Sequence, residues 1–88
     1  MPDRDVKIVN KLGIHARPAA EIVKTAGKFR CSITIIRDDL EVNAKSIMGV
    51  MMLAAECGAT ITLRAVGDDA DAALDALATV IANKFGES

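Results

Sequence analysis

The sequence predicts an α+β fold, an open-faced β-sandwich in which a four-stranded antiparallel sheet carries three helices on one face. Three observations point to it. Short runs rich in β-branched residues, apolar at every second position, take turns with stretches that are apolar every three to four positions. Their order along the chain is strand, helix, strand, strand, helix, strand, helix. The strands are apolar on one side only, as in an antiparallel sheet covered on a single face. The 88 residues, 51% of them hydrophobic, suit one domain over 1–88 with one core.

Each element has its own signature. Val6-Lys7-Ile8-Val9 alternates and reads as a half-buried strand. The next four residues, Asn10 to Gly13, read as a turn. From Ala16 to Ala26 the residues Ala19, Ala20, Ile22, Val23 and Ala26 recur at helical spacing, with Glu21 and Lys24 on the polar side and Gly27 as C-cap. Ser32-Ile33-Thr34-Ile35-Ile36-Arg37 is β-branched and reads as a strand. Asp38-Asp39 turns it back into a short strand over 40–43. Ser46 is placed to cap a second, short helix running from 47 to about 55. Gly49 stands where a capping box would have Glu or Gln, and Gly58 is expected to close this helix. Thr60 to Val66 alternates, with Ile61, Leu63 and Ala65 on one face. Gly67-Asp68-Asp69 reads as a turn and cap, and Asp68, Asp69 and Asp71 gather at the positive end of the last helix. That helix is expected over 70 to about 84, turning Ala70, Ala73, Leu74, Leu77, Ile81 and Phe85 to the core, with Lys84 near its C-terminus.

Composition excludes several classes. The formal net charge is −1, and no basic stretch is interleaved with aromatic residues, so nucleic acid is not the expected partner. No apolar run approaches the ~20 residues of a membrane span. The opening Met1-Pro2-Asp3-Arg4-Asp5 is charged and leads into a strand, unlike a signal peptide. Cys31 and Cys57 form no C-x-x-C pair and are expected to be reduced and mostly buried in a cytoplasmic protein. One histidine and two scattered cysteines do not make a zinc site, and no cofactor is expected.

Lys11-Leu12-Gly13-Ile14-His15-Ala16-Arg17-Pro18-Ala19-Ala20 is the stretch that suggests chemistry. Its His15 is the only histidine. Gly13 permits a bend, and Pro18 suits the first turn of a helix. His15 is therefore expected at, or one residue before, a helix N-terminus, where unpaired N–H groups and the helix dipole favour a phosphate. Arg17 adds a planar cation suited to phosphoryl oxygens. On position alone, a capping or loop histidine and a solvated helix-end arginine explain the same residues. No second histidine is present to serve as a base, so a carrier fits better than a self-sufficient hydrolase.

The apolar run from Ile47 to Leu53 is too continuous for one core-facing stripe on a short helix. Some of Ile47, Met48, Val50, Met51, Met52 and Leu53 must be exposed, where flexible methionines make an adaptable contact surface. Core residues of a short amphipathic helix are the alternative.

Gly13-Ile14-His15-Ala16-Arg17-Pro18-Ala19 resembles the active-site signature of the histidine-containing phosphocarrier (HPr) family of the bacterial sugar phosphotransferase system. Lys45-Ser46-Ile47-Met48-Gly49-Val50-Met51 resembles that family's regulatory-serine segment. The two motifs keep the family's spacing, and the resemblance covers nearly the whole chain. It implies the same open-faced sandwich. It implies that His15, assisted by Arg17, accepts a phosphoryl group at Nδ1 from phosphorylated enzyme I and passes it to enzyme IIA domains. The implied docking surface is Ala16, Arg17, Ala20, Lys24, Lys45, Ile47, Met48 and Met51. Ser46, which is adequately explained as a helix cap, is by resemblance also a target of HPr kinase/phosphorylase. A transcriptional regulator that reads phosphorylated Ser46 is a further implied partner. The chain is expected to be a monomer. Other readings stay open: a paralogue of the nitrogen-related phosphotransfer branch; a regulatory relative acting through protein binding, against which the presence of His15 argues; and a small-molecule-binding α+β module, for which the sequence offers no convergent set of polar residues.

Overall fold

A computed structural model describes residues 2–86. The strands are β1 (Asp3–Lys7), β2 (Ser32–Arg37), β3 (Leu40–Asn43) and β4 (Thr60–Val66). The helices are α1 (Ala16–Ala26), α2 (Ile47–Met52) and α3 (Ala70–Ala82), followed by a 3₁₀ turn over Lys84–Gly86. All strand pairings are antiparallel, in the spatial order β1-β4-β2-β3. The expected fold class and element order are what is found.

Alternation decides which face is covered. Ile33 and Ile35 of β2 lie opposite Ala65 and Leu63 of β4, and all four are buried with Ile61 and Val42. α1 adds Ala19, Ile22 and Ala26 to this layer, and α3 adds Ala70, Ala73, Leu74, Leu77 and Ile81. Ala20, which spacing assigns to the same stripe of α1, is exposed instead. The opposite sheet face is polar. Arg64 forms a two-pronged pair with Asp3, and Thr62 donates to Asp5 at 2.6 Å.

Four boundaries differ from the sequence reading. β1 begins three residues early, at Asp3, and its regular pairing stops at Lys7. Arg4 faces inward opposite Leu63, where an apolar residue is the usual signal, and its guanidinium reaches Asp75 of α3 at 2.7 Å. Ile8 remains bonded to the segment leading into β4, donating to the Ala59 carbonyl at 2.8 Å. α2 ends at Met52 rather than near 55, and Gly58 is not its cap. Ala54 turns left-handed (φ 48°) and breaks the helix, while Gly58 belongs to the turn into β4 and donates to the Ile8 carbonyl at 2.7 Å.

α3 stops at Ala82, before Lys84. Lys84 and Phe85 are both left-handed (φ 57° and 56°), which swings the Phe85 ring back into the core. Asp69 holds the N-cap position of α3 without capping it through its side chain. Its carboxylate instead accepts from the N–H groups of Arg30 and Cys31 at 2.8 and 2.9 Å, fastening the loop before β2. Gly67 sits beneath that loop at φ 145°, where any Cβ would lie 2.8 Å from Cys31 Cβ. Cys31 is buried as expected, but Cys57 is exposed. Among the described residues, no helix is long and apolar enough to cross a membrane.

Candidate functional site

His15 is the N-cap residue of α1, in extended conformation, and is half-buried. Its carbonyl accepts the Ala19 N–H at 2.9 Å, opening the helix. Pro18 has no N–H to give, so the first-turn donors without an intrahelical partner are the N–H groups of Ala16 and Arg17. Both residues are exposed. No acidic residue occupies this turn, which leaves the positive end of the helix uncompensated by a carboxylate. The Arg17 guanidinium makes no ion pair or hydrogen bond among the described residues. A cation, helix-end donors and an imidazole are thus carried by three consecutive residues, 15–17, at the start of α1.

The loop that presents His15 is held from two sides. Asn10 is wholly buried, and its Nδ2 donates to the Gly13 carbonyl at 2.7 Å. Gly13 N–H donates back to the Asn10 carbonyl at 3.1 Å, and His15 N–H bonds the Gly13 carbonyl at 3.2 Å. Asn10 was legible only as part of a turn, yet asparagine at the first and glycine at the fourth turn position is a recognisable pairing. On the other side, Ile14 N–H donates to the Ala55 carbonyl at 2.8 Å. Gly13 has φ 70°, and a Cβ there would collide with the Ala55 carbonyl oxygen and lie 2.9 Å from Glu56 Cα. Only glycine satisfies both the angle and the close approach.

Residues 53–56 are themselves organised by Arg37. Its guanidinium donates to the carbonyls of Leu53 and Ala54 at 3.0 and 2.9 Å and to both oxygens of Glu56 at 2.6 and 3.0 Å. This hydrogen bonding holds the Glu56 carboxyl below its ordinary value. Neither Arg37 nor Glu56 carries any local sequence signal, because they meet across 19 residues.

Ser46 caps α2 as expected, its Oγ accepting the Gly49 N–H at 3.2 Å. Asn43 prepares the turn, its Oδ1 accepting from Lys45 N at 2.8 Å. The Lys45 ammonium donates to the Phe29 carbonyl at 2.8 Å and is half-buried. The run after Ser46 divides cleanly. Val50 and Leu53 are buried, whereas Ile47 (46% exposed), Met48 (78%), Met51 (44%) and Met52 (65%) face outward. Leu12, three residues before His15, is 73% exposed and lay outside the sequence-based surface. Lys24 and Ala20 are exposed on α1.

α1 and α2 pack side by side. The histidine loop meets the segment just beyond the C-terminal end of α2, while Lys45, just before α2, reaches the segment just beyond α1. His15 and Ser46 therefore stand at opposite ends of the helix pair. Exposed apolar side chains of α2 lie between these two ends.

The family model for the HPr component of the phosphotransferase system, described by its phosphorylation site, matches residues 2–83. Phosphocarrier protein HPr of Cupriavidus necator is 52% identical over 87 residues, covering 99% of this chain and 98% of the relative. The HPr of Treponema pallidum is 49% identical over 84 residues, 96% of each chain. The crystal structure of HPr from Thermoanaerobacter tengcongensis superposes with a TM-score of 0.95 at 48% identity, covering 100% of this chain and 99% of that one. An HPr dimer from the same organism aligns with a TM-score of 0.79. A phosphocarrier protein NPr from Shewanella violacea is 44% identical over 86 residues, 98% of this chain and 94% of the relative.

Proposed function

The chain belongs to the HPr family of phosphocarrier proteins, and from that premise we propose that His15 is the residue that carries the phosphoryl group. The family's role is phosphoryl transfer in the phosphotransferase system, and this chain performs it as a carrier. The observation that supports His15 is its place as N-cap of α1, beside the first-turn donors of Ala16 and Arg17 and the Arg17 guanidinium.

A ring nitrogen of His15, Nδ1 by family membership, attacks the phosphorus borne by phosphorylated enzyme I. The new nitrogen–phosphorus bond forms as the bond to the donor breaks, and that electron pair returns to the donor. The reverse division of labour delivers the group to an enzyme IIA domain. Positioning and charge stabilisation carry most of such a transfer. The N–H groups of Ala16 and Arg17 and the Arg17 cation are arranged to meet phosphoryl oxygens, and the partner supplies the rest. The chain acts as a single carrier domain, as a monomer, in the cytoplasm.

Ala16, Ala20, Lys24, Lys45, Ile47, Met48 and Met51 form the docking surface, with an apolar centre and a basic rim. Ser46 is the target of a kinase/phosphorylase, and phosphorylated Ser46 is the mark a transcriptional regulator reads. The NPr relative supports a second reading, the nitrogen-related branch. Phosphorylation by enzyme I of the sugar branch in preference to its nitrogen counterpart decides for the first.

The central test is incubation with enzyme I and phosphoenolpyruvate, followed by mass measurement. One phosphoryl group is expected, lost in acid, stable in alkali and absent from His15→Ala. Uptake undiminished in His15→Ala overturns the assignment.

A further inference from the structure

We infer that Arg37 is a positioning residue for the histidine loop, a role that rests on His15 being the phosphoryl acceptor. Its four hydrogen bonds engage three of the four residues 53–56. Backbone bonds hold only part of that segment: the N–H groups of Leu53 and Ala54 reach back to Val50 and Met51 at 3.2 and 3.1 Å. α2 has already ended, and Ala54 occupies a left-handed conformation that disfavours any residue with a Cβ. The carbonyls of Leu53 and Ala54 have left the helical ladder and need donors. Arg37 supplies both from one nitrogen and grips Glu56 with the other.

The remaining residue of the segment is the one that meets the site. Ala55 accepts the Ile14 N–H at 2.8 Å, and Gly13 packs against the Ala55 carbonyl and Glu56 Cα. His15 is the next residue in the chain. The guanidinium therefore fixes the floor on which Gly13 and Ile14 rest, and so the angle at which α1 and its N-cap histidine begin. The role needs arginine in particular. A lysine ammonium is a point charge with no planar fork and cannot address two carbonyls and a carboxylate in these directions at once.

Exposure separates this role from a general stabilising one. The Glu56 side chain is 64% exposed, so the ion pair alone adds little to stability. The carbonyl bonds end on residues 53 and 54, and the pairing of β2 with β3 and β4 does not pass through them. Loss of Arg37 should loosen the 53–56 segment and the histidine loop while the sheet stays intact. The outward side chains of α2 are untouched, so the defect should fall on the transfer step rather than on docking.

The test compares wild type with Arg37→Ala, Arg37→Lys and Glu56→Gln. Amide hydrogen exchange is read at Ile14, which bonds Ala55, and at Leu63, in a central strand. In Arg37→Ala, exchange at Ile14 should rise about tenfold or more while Leu63 stays within about twofold. Steady-state phosphorylation by enzyme I should show kcat lowered about tenfold with KM for the carrier changed less than about twofold. Arg37→Lys should resemble Arg37→Ala. Glu56→Gln keeps both carbonyl bonds and should stay within about twofold of wild type in every readout.

Equal acceleration at both amides, unchanged exchange at Ile14, or a defect confined to KM overturns the inference. So does full rescue by lysine. Wild type that accepts no phosphoryl group refutes the carrier reading instead, and the Ile14 and Leu63 comparison still decides whether Arg37 holds the loop.

Discussion

At the scale of single residues, the histidine motif depends on atoms that are not in the motif's chemistry. Gly13 is required by both its φ of 70° and the Ala55 carbonyl beneath it. Gly13→Ala should cost about 2 kcal/mol, which a thermal melt would read as a Tm lower by roughly 10 °C. A melt unchanged by the substitution would mean that the loop is free to move off the 53–56 segment. The two thiols give a second residue-scale expectation. Cys31 is buried, and burial together with the Asp69 carboxylate pushes its thiol up, so it holds its proton more firmly. Cys57 is exposed. A thiol reagent at neutral pH should label Cys57 alone in the folded protein, and both cysteines in denaturant. The sequence reading treated the two cysteines alike because spacing carries no information on exposure. It placed His15, Arg17 and Ser46 at the starts of helices because caps and first turns are local signals. Arg37, Glu56 and Asp69 escaped it because their partners lie 16 to 39 residues away.

At the scale of elements, α1, β2, β3 and β4 were legible to the residue, since each is bounded by glycine, aspartate or a change of hydrophobic period. β1 was misplaced because Arg4 takes an inward position at an open end of the sheet and keeps its charge by reaching Asp75. α2 was overextended because its stop signal is an alanine in a left-handed turn, held by a distant arginine. The apolar run of α2 could be known to split, but not where. Met48 is 78% exposed and Val50 is fully buried. Met48→Asp should therefore leave the melt near that of wild type and weaken binding to enzyme I, whereas Val50→Asp should unfold the domain. Unfolding by Met48→Asp would place that side chain in the core. The start of α3 yields a pH test. Hydrogen bonds, first from the Arg30 N–H, hold the Asp69 carboxyl below its ordinary value of 3.8. A lowered folded value means that the unfolded chain binds the proton more readily, so this contribution is present above 3.8 and fades as pH falls through the folded value. Arg64 and Arg37 act in the same direction on Asp3 and Glu56. The Tm difference between wild type and Asp69→Asn should accordingly be largest near neutral pH and shrink in strong acid. A difference independent of pH would show that the carboxylate's charge is not what fastens the loop.

At the scale of the whole molecule, His15 and Ser46, the two residues proposed to be phosphorylated, begin the two helices that pack side by side. His15 and Ser46 stand at opposite ends of the α1–α2 pair, whose helices expose Ala20, Met48 and Met51. A phosphate on Ser46 would add about −1.5 to −2 charge. Locally it would be tolerated. Ser46 Oγ already accepts the Gly49 N–H, and anionic oxygens there gain from that donor and from the end of a helix. α2 has only six residues, so the gain is small, about 0.3 kcal/mol. The modified protein should melt no lower than the unmodified one. Docking is a different matter. The new charge lies beside Ile47 and Met48, where a partner must shed water from apolar side chains, and it opposes the attraction that Arg17, Lys24 and Lys45 exert on an acidic partner. Ser46 stands at the end of the helix pair opposite to His15, so the loss should appear in the encounter. Transfer from enzyme I should show a raised KM for the carrier with kcat little changed, and the inhibition should lessen as salt screens the repulsion. Ser46→Asp should reproduce part of the effect, because one carboxylate carries less charge than a phosphate. The measurement is a melting curve paired with transfer rates over a range of carrier concentrations at two ionic strengths. A lowered Tm, or a deficit that persists at saturation, would mean that Ser46 acts by distorting the histidine loop through α2 and the 53–56 segment. Arg37→Ala would then mimic Ser46 phosphorylation, and the two defects would no longer separate into kcat and KM.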